Sequence, residues 1–167
     1  MESEQILHHR HQLNTELERR GLKGEICLYG GAVMCLVYNA RPSTKDIDAV
    51  FAPAQEMRDA IVRVAEENSL DADWINDAVK GYVIKHEQRV LLNLSNLQVY
   101  VPEPDYLLAM KALAARVDAS DRQDVQVLIR ALKITQADEV FRILRSYYPR
   151  HEIKPATQYF IEELFQQ

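Results

Sequence analysis

The chain has 167 residues, is nearly half apolar, and carries 20 basic and 25 acidic residues for a formal net charge of -5. Its size allows one buried core, and its negative charge argues against a surface built for general binding of polyanions. Because the apolar runs fall short of the roughly 20 residues of a membrane-spanning helix and the N-terminus is polar, we expect a cytoplasmic protein without membrane contact.

The first predicted element is an amphipathic helix from Ser3 to Arg20 that stops at Gly21. Three histidines lie on it, at His8, His9 and His11. Since neither a carboxylate nor a cysteine joins them at the spacing of metal ligands, we interpret them as solvated surface residues.

A strand, a glycine pair and a helix are predicted next. Glu25 to Tyr29 is typical of a short buried strand, Gly30 and Gly31 of a tight turn, and Ala32 to Tyr38 of a helix. Glycines let the backbone turn sharply and approach a ligand, and the first amides of a helix have no internal partner. Such a turn can hold a phosphate.

A pair of carboxylates follows on the predicted strand from Asp46 to Phe51. Side chains alternate across a strand, so Asp46 and Asp48 are expected on one face and Ile47 on the other. Two neighbouring carboxylates favour a cation between them, and Mg²⁺, with Mn²⁺ as the alternative, prefers oxygen ligands and substrate phosphates. Together with the glycine turn, this pair is what metal-assisted phosphoryl or nucleotidyl transfer requires. A plain turn and a solvated edge strand remain the alternative.

The glycine pair followed by R-P-S-T-K-D-I-D resembles the minimal nucleotidyltransferases of the DNA polymerase beta superfamily. The resemblance is strongest to small bacterial members, including toxins of toxin–antitoxin and abortive-infection systems. It implies magnesium-dependent transfer of NMP from an NTP to an acceptor, with Gly30 and Gly31 on the triphosphate and Asp46 and Asp48 on the metal. It further implies nucleotide contacts for Arg41, Thr44 and Lys45.

A helix from Ala54 to Asn68 is predicted next, and the segment from Leu70 to Val83 follows it with the only tryptophan, Trp74. Asp73 is expected to cap a short helix that Trp74 and Ile75 anchor. The W-I-N-D-A sequence here resembles a segment of small bacterial nucleotidyltransferase-like proteins. We interpret Trp74 as packed on a covering helix, with stacking on a nucleotide base as the alternative.

A hairpin is predicted from the strands Val90 to Leu94 and Leu97 to Val101. Many relatives in the superfamily carry a third metal-binding carboxylate on a strand after D-x-D. This chain has no Asp or Glu between Glu87 and Glu103. The resemblance therefore leaves open both the position of a third acidic group and the catalytic competence of the chain.

Two helices are predicted from Asp105 to Val117 and from Asp121 to Leu132. They contain a K…R…D-x-x-D pattern that resembles the toxin-like nucleotidyltransferases. The resemblance implies that Lys111 neutralises triphosphate charge and that Asp124, or else Asp121, acts as acid, base or metal ligand. The alternative is that the aspartates only stabilise a helix N-terminus and that the lysine stem only covers apolar surface.

The whole pattern predicts an α/β (α+β) fold, a small mixed sheet covered by helices. Residues 1–104 are expected to form the nucleotidyltransferase-like core, and residues 105–167 a helical part packed on the same domain. NTP is the expected substrate, the acceptor is a hydroxyl of RNA, protein or a small molecule, and an antitoxin or other protein is a candidate partner. The alternatives are a catalytically weak nucleotide- or protein-binding module and a metal-dependent phosphatase or nuclease.

Overall fold

The computed structural model describes residues 1–114 and 119–166. The chain divides into two compact units, Met1–Pro102 and Glu103–Gln167. The first unit is made of α1 (Ser3–Arg19), β1 (Gly24–Tyr29), α2 (Gly30–Leu36), β2 (Ile47–Ala52), α3 (Ala54–Asn68), β3 (Ile75–Asn76), a short 3-10 helix (Ala78–Gly81), β4 (Gln88–Asn93) and β5 (Leu97–Pro102). This mixture of helices with a sheet confirms the α+β class predicted from the sequence.

The five strands form one mixed sheet in the order β3-β2-β1-β5-β4. The central strand β1 is antiparallel to β2 and parallel to β5. At the edges, β3 is parallel to β2, and β4 is antiparallel to β5 as the predicted hairpin requires. The end of β1 therefore lies beside the beginning of β2, and β3 lies on the other side of β2.

One face of the sheet, the helix face, is covered by α1 and α3. A Cβ atom added to Gly24 of β1 would overlap Met57 Sδ of α3 and come within 3.2 Å of Leu17 of α1. Residues that pair across neighbouring strands point to the same side, so the apolar alternate residues of β2 and β5 lie on this face too. They are buried: Ile47, Ala49, Phe51, Leu97, Val99 and Val101.

The opposite face, which we call the site face, carries the other alternate residues. Tyr29 of β1 is paired with Asp48 of β2, and Asp48 with Asn76 of β3. Cys27 of β1 pairs with Tyr100 of β5 one row further along. Burial raises the pKa of the Cys27 thiol to about 11, so this thiol stays protonated and unreactive at neutral pH.

Within the W-I-N-D-A segment, Ile75 and Asn76 form strand where a short helix was predicted, and a 3-10 helix begins only at Ala78. Ile75 and Asn76 make β3, because the edge of β2 offers backbone groups that local helical structure could not satisfy. Trp74 is buried, and its indole Nε1 donates a hydrogen bond to the Ile61 carbonyl oxygen at 2.9 Å. The interpretation of Trp74 as a packed residue is confirmed. Hydrogen bonds from Lys80 and Arg58 hold the pKa of Asp77 below its usual range.

The second unit is helical in the part that the structure describes. Its helices are α4 (Pro104–Ala114), α5 (Ala119–Ala131), α6 (Ala137–Tyr147) and α7 (Pro155–Glu163). Tyr106 of α4 is fully buried, and its hydroxyl lies 2.7 Å from that of Tyr148. The last residues of the helix predicted to reach Val117 lie outside the described residues. The predicted packing of this part on the core stays a prediction.

Arg10 is an unusual residue of α1, since its side chain is only 1% exposed. Among the described residues, no group accepts a hydrogen bond from its Nε, Nη1 or Nη2. Burial lowers the pKa of this guanidinium to about 10.

Across residues 1–114 and 119–166, every helix is too short or too polar to cross a membrane.

Candidate functional site

The glycine pair lies where β1 ends on the site face. The helix α2 begins at Gly30 itself, so the prediction of a separate turn before a helix at Ala32 is wrong. Gly30 has a φ of +59°, a backbone conformation that favours glycine. A Cβ atom there would lie 2.9 Å from Asp48 Oδ2. Both the backbone conformation and the neighbouring carboxylate therefore require glycine at this position. The same contact joins the two predicted motifs, the glycine pair and the carboxylate pair.

Gly31 lies against the segment that precedes β2. A Cβ atom on Gly31 would lie 2.5 Å from Thr44 Oγ1 and 3.2 Å from Arg41 Nη1. Thr44 is buried, and its Oγ1 donates a hydrogen bond to the backbone oxygen of Asp46 at 3.0 Å. The glycine pair, a basic side chain and the backbone that carries the carboxylates therefore meet in one place.

The start of the chain holds this segment in position. Ser43 forms an isolated antiparallel bridge with Glu2, and the Thr44 amide donates a hydrogen bond to the Met1 carbonyl oxygen at 2.9 Å. Ser3 Oγ also lies 3.4 Å from the carbonyl oxygen of Cys35 at the end of α2. The first residues of the chain thus hold the loop before β2 and also contact α2, which preorganises the residues that the loop carries.

The two carboxylates differ in their surroundings. Asp48 is half-buried within β2, on the opposite side from the buried Ile47, as the alternation predicts. Asp46 is exposed and stands one residue before β2, beside the exposed Lys45. Its side-chain direction relative to that of Asp48 stays a prediction. Within the described ranges, no cluster of three or more His, Cys, Asp or Glu side chains is arranged to hold a metal ion.

Sequence reasoning missed two neighbours of this site, His86 and Asn76. Tyr29 precedes Gly30, and its hydroxyl lies 2.7 Å from Nε2 of His86. Because His86 Nδ1 lies 2.8 Å from the carbonyl oxygen of Glu87, which only accepts, we assign the proton to Nδ1 and the Tyr29 hydroxyl donates to Nε2. Asn76 is the second neighbour, as the register partner of Asp48.

Lys111 and Asp124 belong to the second unit, where they form an ion pair with each other. Lys111 Nζ lies 2.7 Å from Asp124 Oδ2, and the two side chains are 13% and 1% exposed. The pairing satisfies both charges within the helical unit. The role of these residues toward a nucleotide, and that of Asp121, stays a prediction.

A cavity of about 390 Å³ lies beside α6 and α7 in the same unit. Its lining mixes acidic and basic groups over an aromatic ring, and the Arg145 guanidinium carbon lies 6.0 Å from the centre of the Phe141 ring. Neither Lys111 nor Asp124 lines this cavity.

The residues around Gly30 fit a hydrated magnesium ion that carries phosphates. The two glycines have no side chains, and the nearest groups to them are Asp48 Oδ2 and Arg41 Nη1, which carry opposite charges. Carboxylate oxygens suit magnesium, and a guanidinium suits phosphate. Binding of a metal–phosphate group through both of its components stays a prediction.

The family described as nucleotidyltransferase of unknown function (DUF6036) matches residues 5–152. The match includes both the glycine pair and the two carboxylates, and it extends well into the helical unit. Comparisons with curated proteins and with solved structures found no match.

Proposed function

The chain belongs to the family described as nucleotidyltransferase of unknown function, and from that premise we propose that it moves NMP from an NTP to an acceptor hydroxyl with the help of magnesium. The observation that carries the proposal is the contact of Gly30 and Gly31 with the segment from Arg41 to Asp48. The resemblance of these motifs to the DNA polymerase beta superfamily is consistent with it.

Each residue of the site has a role in this proposal. The glycine pair binds the triphosphate through its backbone, and Arg41, Thr44 and Lys45 contact the phosphates. Asp46 and Asp48 would hold magnesium, which would neutralise charge on the phosphates. The acceptor hydroxyl gives its proton to water and its oxygen bonds to the α-phosphorus, while the bond from the α-phosphorus to its bridging oxygen breaks and pyrophosphate leaves.

The acceptor hydroxyl belongs to RNA, a protein or a small molecule in this proposal. The net charge of -5 favours an acceptor that is bound locally over one drawn in by a general basic surface. The resemblance to toxin-type relatives supports a protein partner, an antitoxin, that holds the activity in check.

Calorimetric titration tests the nucleotide site directly. Each of the four NTPs is added to the protein with and without magnesium, and pyrophosphate release is followed in parallel. We expect binding of at least one NTP that depends on magnesium and falls at least roughly tenfold in Asp46→Asn/Asp48→Asn, because the variant removes two charged metal ligands. The matched control is Asp71→Asn/Asp73→Asn, which changes a D-x-D pair of the same spacing in an exposed turn.

Two results contradict the proposal in different ways. If no NTP binds at millimolar concentration, or the Asp46/Asp48 variant binds as well as the control, the site is wrong. If binding depends on these carboxylates but no acceptor yields pyrophosphate, the chain is a nucleotide-binding module. No Asp or Glu lies between Glu87 and Glu103, and Tyr100 and Gln98 occupy the site face of β5, which favours this second function.

A further inference from the structure

We propose that Asn76 supplies a third protein oxygen to the metal at this site, beside Asp48, and that its neutral amide makes metal binding depend on the nucleotide. This inference rests on the proposed function and deepens it. It assigns a role to the W-I-N-D-A segment, which the glycine and carboxylate motifs leave unexplained.

The register of the sheet places Asn76 next to Asp48. The two residues are direct partners of the parallel strands β3 and β2. Their preceding residues, Ile75 and Ile47, are paired as well and are both buried on the helix face. The side chains of Asn76 and Asp48 therefore share the site face, on strands about 4.8 Å apart.

The segment around Asn76 is fixed from both sides. Before it, Trp74 is bound to the Ile61 carbonyl of α3, and the Trp74 carbonyl accepts a hydrogen bond from the Ile47 amide at 3.1 Å. After it, Asp77 Oδ2 accepts hydrogen bonds from Arg58 Nη2 of α3 at 2.8 Å and from Lys80 Nζ at 3.0 Å. A strand of two residues would be unstable alone, so these anchors are what hold Asn76 beside Asp48.

The amide of Asn76 has capacity for a ligand. Its side chain is half-buried, and its Oδ1 lies 3.4 Å from the Ala78 amide, which is a long hydrogen bond. An amide oxygen has two lone pairs, so one such contact leaves it able to accept more. Amide oxygens are accepted ligands of hard divalent cations.

The charge of the site explains the dependence on nucleotide. With Asp46, Asp48 and Asn76 as ligands, the protein contributes two negative charges to the metal instead of the three of a carboxylate triad. The triphosphate of the NTP supplies the remaining charge. Free metal should therefore bind weakly, and metal should enter together with the nucleotide.

Substitutions of Asn76 test this inference by binding, without an assay of turnover. Free Mn²⁺ is measured by electron paramagnetic resonance, with and without the NTP that binds best. We expect Asn76→Ala to weaken metal-dependent NTP binding about tenfold. We expect Asn76→Asp to tighten Mn²⁺ binding without nucleotide about tenfold and to reduce the gain in Mn²⁺ affinity when the NTP is added.

The matched control is Asn93→Asp, which adds the same charge on the opposite edge strand of the same sheet, β4. It should leave both affinities unchanged. If Asn76→Ala fails to fold, Asn76→Asp, which has the same shape as the native residue, decides the question by itself.

The outcomes separate this inference from the proposed function. If the native chain shows metal-dependent NTP binding but Asn76→Asp binds Mn²⁺ no better than Asn93→Asp, the role of Asn76 is overturned and the nucleotide site stands. If the native chain binds neither metal nor NTP, both are overturned.

Discussion

A buried arginine without a hydrogen-bond partner is costly, and among the residues that the structure describes Arg10 has none. Removing a charge from water is offset in most proteins by hydrogen bonds or an opposite charge. Here the pKa falls from 12.5 to about 10, which corresponds to a penalty of about 3 kcal/mol for the charged form. Below pH 10 the side chain is protonated in both the folded and the unfolded chain, so the penalty is present in full at neutral pH. As the pH rises above 10, Arg10 loses its proton in the folded chain before it does in the unfolded chain. The penalty is then relieved, and the free energy of unfolding should rise.

Replacing Arg10 by methionine should therefore stabilise the protein. Arg10→Met keeps an unbranched apolar stem and removes the charge, and we expect the free energy of unfolding at pH 7 to rise by about 1–3 kcal/mol in urea titrations. The control is Arg63→Met on α3, whose side chain is 52% exposed and which should change stability by less than about 0.5 kcal/mol. A loss of stability in Arg10→Met would mean that the guanidinium contributes a favourable interaction.

At the scale of elements, α4 and α5 are linked by the ion pair of Lys111 and Asp124. Both side chains are largely removed from water, so loss of one leaves the other in surroundings that disfavour its charge. This is a structural role that exists whether or not either residue meets a nucleotide.

A double-mutant cycle measures that link. We expect Lys111→Met and Asp124→Asn each to lower the free energy of unfolding by about 3 kcal/mol, with a coupling energy above about 1 kcal/mol. The exposed pair Arg63 and Glu67 of α3, 3.0 Å apart, should give a coupling of about 0.5 kcal/mol or less. Equal coupling in the two pairs would show that burial adds nothing to the interaction of Lys111 with Asp124.

The elements that sequence predicts well are those with their own periodicity. The helix from Ala54 to Asn68 was predicted with its observed bounds, and the hairpin strands within two residues, because their apolar spacing and flanking residues are local signals. β3 was missed because two residues become strand only when β2 lies beside them. The start of α2 was misplaced because Gly30 enters the helix with a left-handed backbone and lies against Asp48, eighteen residues later, and neither feature is a local signal.

The same difference between local signals and long-range contacts decides which residues of the candidate site can be predicted from the sequence. The glycine pair and the carboxylates were recognisable because each motif is short and contiguous. Asn76 and His86 were not, since their relation to Asp48 and Tyr29 depends on strand register and on contacts across many residues of chain. No pattern of residue types in the sequence signals either contact.

At the scale of the whole molecule, the proposed activity should harm the cell that produces the protein. If the chain is the toxin of a pair, we expect its expression in growing bacteria to arrest growth, while Asp46→Asn/Asp48→Asn does not, although the two proteins accumulate equally. The Asp71→Asn/Asp73→Asn variant should arrest growth like the native chain. If cells grow equally well with the native chain and with the Asp46/Asp48 variant, the toxin role is contradicted. The nucleotide site would then be tested by the titration alone.

The parallel pairing of β1 with β5 has a consequence for the order in which the protein is made. Gly24 of the central strand meets Leu97, so during synthesis β1 waits for more than seventy residues before its second neighbour exists. Until then its backbone on that side is an open edge, lined by some of the most apolar residues of the chain. A ribosome that stalls before Leu97 would therefore release a fragment prone to pair with strands of other chains.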